Sequence, residues 1–187
     1  MDRKFLAKYF QGFSKLVEPN EDMMDLLLSL KDAILKVQAN KGKTLIFGNG
    51  GSAAMASHFS VDLTKNAGVR CVNFNEADLI TCFANDYGFE NWIAKAVEFY
   101  GDPGDLLILI SSSGNSINML KGAASAKKCN FACISTFSGF LEDNPLRSAG
   151  DLNIWVDSKA YNYVENIHQM WLLALVDLII GKTEYSA

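Results

Sequence analysis

Thr44-Leu45-Ile46-Phe47-Gly48-Asn49-Gly50-Gly51-Ser52 is the stretch on which the fold turns. A short apolar run, 44–47, leads straight into a turn of small residues. A segment with helical patterning, 52–65, follows. The arrangement recurs downstream. The apolar run 106–110 leads into Ser111-Ser112-Ser113-Gly114-Asn115-Ser116, and 117–127 is again helical in pattern. A small-residue turn between strand and helix presents backbone N–H groups and hydroxyls where the helix dipole is positive. That is an anion site, and phosphate is the usual anion. Two such turns predict a phosphorylated ligand at the carboxyl ends of parallel strands. Asn49, Gly50, Gly51, Ser52, Ser111, Ser112, Ser113 and Ser116 are the candidate binding residues. Ser52 and Ser116 also suit plain helix caps that satisfy orphan amides.

The rest of the chain alternates in the same way. Runs 69–74, 131–135 and 152–156 read as strands, and 77–85, 90–99 and 163–180 as helices. Asp102-Pro103-Gly104-Asp105 is a turn signal. Ahead of this alternation, Leu6, Phe10, Phe13 and Val17 recur at helical spacing until Pro19-Asn20 breaks the run. Met24, Leu27, Leu28, Leu30, Ile34 and Val37 then form a second amphipathic helix. The strands are mostly continuous apolar runs, as in strands buried on both faces. The expectation is an α/β three-layer sandwich with a central parallel sheet and an N-terminal helical pair. It is a single domain over 1–187, with the helices in 1–41 and the α/β core in 42–187.

Composition narrows the function classes. The 187 residues are 49% hydrophobic and 20% charged, with a net charge of −4 and no Lys/Arg block, which argues against direct nucleic-acid binding. No apolar run is long enough to span a bilayer; the longest, 171–180, contains Asp177. Met1-Asp2-Arg3-Lys4 leads into a mixed polar segment without the apolar core of a signal peptide. Cys71, Cys82, Cys129 and Cys133 include no CxxC pair, so free thiols in a reducing cytoplasm are expected.

Two further constellations carry chemistry, and they contain both histidines of the chain. His58 and Asp62 stand at i,i+4 on the helix that begins at the first turn, so they share a face. An imidazole and a carboxylate so placed can bind a divalent metal or act as an acid/base pair; a simple local side-chain pair fits as well. Glu165 and His168 share a face of the last helix at i,i+3. They lie beside its apolar stripe of Val164, Ile167, Trp171, Leu175 and Ile179, where a structural histidine paired with a carboxylate is also consistent.

Several of these stretches resemble one known family. Gly48-Asn49-Gly50-Gly51-Ser52-Ala53-Ala54 with His58-Phe59 is similar to the start of a sugar isomerase (SIS) domain, and Ile110 to Ser116 is similar to its second phosphate turn. Phe83-Ala84-Asn85-Asp86-Tyr87-Gly88-Phe89 and Val164-Glu165-Asn166-Ile167-His168 extend the resemblance over nearly the whole chain. It points to the phosphoheptose (sedoheptulose-7-phosphate) isomerase group, which also includes the non-enzymatic DnaA-initiator-associating protein. The resemblance implies a flavodoxin-like fold, a homotetramer, active sites between subunits, and a product used for the heptose of lipopolysaccharide, capsule or other surface glycans.

Its site residues carry over as expectations. The resemblance makes His58 a metal ligand and places Asp62 where the group has a glutamate that is both ligand and base. It sets Glu165 where a metal-binding glutamine stands, so that His58, Asp62 and Glu165 would together hold a zinc-like ion, adds Asp86 to the binding site, and puts Leu173 where the group has a catalytic histidine. Asp62 is one methylene shorter than the group's residue, and Leu173 cannot carry a proton. The expected reading is a phosphosugar isomerase with Asp62 as base, and with His168 or Glu165 moving a proton between oxygens. A phosphosugar-binding regulatory protein and an isomerase of another (amino-)sugar phosphate are the alternatives.

Overall fold

The computed structural model describes residues 1–185. Two helices come first, α1 (Asp2–Leu16) and α2 (Glu21–Ala39). The Asn20 side chain caps α2 by accepting from the amide of Met23 at 2.9 Å. The strands are β1 (Thr44–Gly48), β2 (Cys71–Val72), β3 (Leu106–Ser111), β4 (Cys133–Ser138) and β5 (Leu152–Trp155). Between and after them lie α3 (Gly51–Lys65), α4 (Ala77–Tyr87), α5 (Trp92–Tyr100), α6 (Ile117–Lys128) and α7 (Tyr161–Ile180).

All the strands pair in parallel, in the order β2-β1-β3-β4-β5. The order reverses between β1 and β3, and such a switch point opens a crevice at the carboxyl ends of the strands. Both phosphate-type turns leave the sheet there.

Strand alternation sorts the core into two layers. Ile46, Ile108, Ile110 and Phe137 face α2, α3 and α7, where they meet Leu30, Phe59 and Leu172. Leu45, Phe47, Leu107 and Leu109 face the other way, against Trp92 and Ile93 of α5 and Met119 and Ala123 of α6. The sheet is therefore covered on both sides, which is why its strands read as unbroken apolar runs. At the opposite end from the crevice, the buried Asp105 carboxylate accepts from the Lys43 amide at 2.9 Å and pairs with its Nζ at 2.6 Å.

Two strand expectations shift. The run 69–74 forms a ladder only at Cys71–Val72. The chain then leaves β1 because Asn73 and Asn75 turn to α3: Asn73 Nδ2 donates to Ser60 Oγ at 2.7 Å and Asn75 Nδ2 to the Ala53 carbonyl at 2.8 Å. The strand expected at 131–135 lies at Cys133–Ser138, where Ser135, Thr136 and Ser138 are fully buried. Pairing with β3 in register from Leu106↔Cys133 to Ser111↔Ser138 overrides their polar character. No helix of the described residues is long and apolar enough to cross a membrane.

Candidate functional site

The first turn is shaped by backbone crowding. Gly48 ends β1, and a Cβ there would overlap the backbone carbonyl of Ser52. Only glycine lets the strand run so close under the first turn of α3. Ser52 is buried at that first turn. The second turn brings Ser111 Oγ within 3.1 Å of Ser116 Oγ, and Ser113 Oγ accepts from the Asn115 amide at 3.2 Å.

The two turns are joined side by side. Asn49 Nδ2 donates to Asn118 Oδ1 at 3.1 Å, and Asn118 Nδ2 donates back to Asn49 Oδ1 at 3.0 Å. The result is one cleft of about 170 Å³. Its walls are Asn49 and Ser52 from the first turn, Ser111, Ser112, Ser113 and Ser116 from the second, and Tyr161 and Glu165 from α7. Hydroxyls and helix amino ends converge there, the equipment for a phosphoryl group. Gly50 and Gly51 form the turn itself.

The His58–Asp62 pair lies further along α3. His58 Nε2 is 3.2 Å from Asp62 Oδ2. On its other side His58 Nδ1 meets Gln169 Nε2 of α7 at 3.0 Å. One neutral tautomer satisfies both contacts: Gln169 donates to Nδ1, and Nε2–H points at the carboxylate. Both members of the pair keep contact with solvent, at 54% and 24% side-chain exposure, so a substrate can reach them. From Ser52 to His58 the helix advances about 9 Å at its usual rise per residue. Tyr185 closes the far end, beside Asp177, Asp62 and Asn66. Partial burial and the two carboxylates raise its phenol above the ordinary tyrosine value.

Three sequence expectations fare differently. His168 is fully buried; its Nε2 donates to the Ser138 carbonyl at 3.0 Å and its ring packs on Phe137 and Trp171. Burial pushes its pKa down to about 4, only partly offset by that hydrogen bond. It is a neutral core residue, out of reach of the cleft, and the expected proton shuttle at His168 is corrected to a structural role. The helix face that carries His168 is turned inward, while Glu165 and Gln169 lie on the half-buried neighbouring face.

Glu165 does enter the cleft, but away from His58 and Asp62. Its carboxylate lies over Gly51, with Oε2 2.7 Å from where a Cβ on that glycine would be. Among the described residues no three His, Cys, Asp or Glu side chains come together as a metal group. The expected set of His58, Asp62 and Glu165 therefore does not converge within one chain, because Glu165 stands one turn before Gln169, the residue that meets His58. Asp86 also stays apart. It is exposed on α4, where it accepts from Asn85 Nδ2 at 2.8 Å.

Gln169, Tyr161 and Asn118 went unremarked in the sequence. Only Gln169 carried a signal, since it falls one helical turn after Glu165 on the same face.

Comparisons with known proteins identify the family. A model of the SIS domain matches residues 8–138. The phosphoheptose isomerase of Helicobacter pylori (strain P12) is 31% identical over 185 residues, which cover 96% of this chain and 93% of that protein. That of Fusobacterium nucleatum is 30% identical, over 90% of this chain and 88% of its own. The solved structure of the Neisseria gonorrhoeae phosphoheptose isomerase superposes with a TM-score of 0.88 at 26% identity, over 96% of this chain and 99% of that one. With the domain model matched across most of its length and relatives similar from end to end, the chain belongs to the SIS domain family.

Proposed function

We propose that this protein is an aldose–ketose isomerase of a phosphorylated sugar, with sedoheptulose 7-phosphate as substrate. The observation that carries the reading is the joining of both serine turns into one cleft at the switch point, with a His–Asp pair further along the same helix. The names of the relatives favour the seven-carbon substrate. The span from Ser52 to His58 suits it too, since an extended heptose separates its phosphate from its carbonyl by a comparable length.

In this reading Ser52, Ser111, Ser113 and Ser116 hold the phosphoryl group through hydroxyls and neighbouring amides. Asp62 takes the proton from the carbon beside the carbonyl and returns it at the neighbouring carbon, while the hydroxyl proton passes to the former carbonyl oxygen through the solvent that reaches the pair, by way of an enediol. His58, held in one tautomer by Gln169, points its N–H at Asp62 and orients the carboxylate. With His168 in the core and Leu173 carrying no proton, one acid/base group does the work of two, so slow turnover is expected. The residues expected to hold a divalent ion do not fit one within a single chain, and no step here runs through a metal.

A homotetramer in the cytoplasm belongs to the same proposal. Supporting the assembly, Phe5, Leu6 and Phe10 of α1, Leu28 of α2 and Leu178 of α7 are exposed, apolar surface that another copy of the chain would cover.

The deciding experiment is a coupled isomerase assay on the purified protein with sedoheptulose 7-phosphate, with and without added zinc. Turnover supports the reading. Binding without turnover favours the second one, a phosphosugar-binding regulatory protein, to which the buried His168 and Leu173 lend weight. Turnover of an amino-sugar phosphate alone would move the substrate assignment.

A further inference from the structure

The serine cleft contains one charged side chain, and its sign is wrong for a phosphate site. Its lining is Asn49, Ser52, Ile110, four serines of the second turn, Tyr161 and Glu165. No lysine or arginine lines it. Glu165 takes part in none of the ion pairs of the described residues. Its carboxylate packs on Gly51, the first residue of α3, with the three carboxyl atoms 2.7 to 3.0 Å from the position of a Cβ. Gly51 has no left-handed backbone to require glycine. What a side chain at 51 would displace is the Glu165 carboxylate, so the missing Cβ makes a seat for it. A carboxylate there faces the positive end of the α3 dipole. That is the interaction a phosphoryl group would seek in the same cleft.

We propose that Glu165 is the cleft's internal competitor. Its carboxylate occupies the amino end of α3, and a phosphorylated ligand has to turn it aside and then bind beside it. The inference rests on the phosphate reading of the serine cleft. It adds that affinity for the phosphoryl group is held down by this one residue, so binding of the whole sugar depends more on contacts outside the cleft. A free phosphate ion, lacking those contacts, is then a poor ligand.

The test is titration calorimetry with inorganic phosphate at low and at moderate ionic strength, on wild type, Glu165→Gln, Glu165→Ala and Ser52→Ala/Ser113→Ala. Removing one like charge a few ångströms from the bound anion is expected to tighten phosphate binding about tenfold in both Glu165 variants. The gain should shrink as salt rises. A residue that merely supported the helix start would not produce that salt dependence. Equal or weaker binding by both Glu165 variants, with the serine double variant still impaired, overturns the proposal and leaves the phosphate site standing. Absence of phosphate binding in wild type and all variants overturns the proposal and the phosphate reading together.

Discussion

Asn49 and Asn118 exchange a pair of amide hydrogen bonds, 3.1 and 3.0 Å long, across 69 residues of chain. They are the direct tie between the turn after β1 and the start of the helix after β3. Within the pair each side chain donates once and accepts once, so removing either takes both of these bonds from the other; Asn118 Oδ1 alone keeps a second donor, the Met119 amide at 3.0 Å. Asn49→Ala or Asn118→Ala should each cost about 1–2 kcal/mol of stability. The double variant should cost much less than the sum, because the second truncation removes a group already unpaired. Urea denaturation of the four proteins of this cycle checks it; strict additivity would mean that the pair does not act as a unit.

The serine hydroxyls give the second prediction. Ser52→Ala together with Ser113→Ala should weaken phosphosugar binding by on the order of 1–3 kcal/mol, since each removes a hydrogen bond to a charged group. The fold should survive, because both residues sit at helix entrances. Unchanged affinity by calorimetry would place the phosphate elsewhere.

His168 gives a pH dependence. Its folded pKa of about 4 lies below the ordinary 6.5 because burial disfavours the charged ring. The unfolded chain therefore binds the proton more readily. The stability that His168 contributes is fully present above about pH 6.5 and is lost as pH falls toward 4, on the order of 3 kcal/mol across that window. His168→Gln keeps a donor for the Ser138 carbonyl but cannot take up a proton. It should flatten this acid limb in denaturant titrations between pH 7 and 4. Since the ring lies outside the cleft, turnover at neutral pH should persist. Loss of turnover in a folded His168→Gln protein would return this residue to the chemistry.

The surface of α1 gives the fourth. If Phe5, Leu6 and Phe10 are covered by another copy of the chain, light scattering at micromolar concentration should give the mass of a tetramer. Phe5→Asp with Phe10→Asp should lower that mass while leaving the α/β core folded. A monomeric wild type would sink the assembly and any site shared between subunits.

The sheet and both turns were legible in the sequence because they are local. An apolar run, small residues and a helical pattern lie within about twenty residues, and 44–65 and 106–128 each contain the whole signal. What was not legible was rotation about a helix axis. Glu165 and His168, three residues apart, read as one face, yet α7 puts the first in the cleft and the second in the core. The periodicity that suggested the pair is too coarse to separate neighbours on the rim of an apolar stripe. Gln169 lay one residue from His168 and drew no notice, because an amide has no titration to suggest a role. Its importance comes from where α3 and α7 cross, a tertiary fact. The short ladder of β2 was hidden likewise, because Asn73 and Asn75 find partners on α3 that only the folded chain supplies.

The last prediction concerns Asp62 and Leu173. Asp62 reaches less far than a glutamate would, and shifts of that size are costly in rate. Leu173 stands one turn after Gln169 on the same half-buried face of α7. A histidine there would stand on the face that meets α3. Wild type should therefore isomerise sedoheptulose 7-phosphate slowly. Asp62→Asn should remove the residual turnover, a loss on the order of 10²–10⁴-fold for one general base, with phosphate affinity little changed because the serine cleft is a separate part of the site. Asp62→Glu combined with Leu173→His should raise turnover above wild type, and added zinc should raise it further only if the new pair supplies ligands that the natural chain does not bring together. Initial rates for the three proteins, each with and without zinc, separate the cases. An Asp62→Asn protein with full activity would take Asp62 out of the chemistry, and Glu165 would then be the remaining acid/base group that lines the cleft.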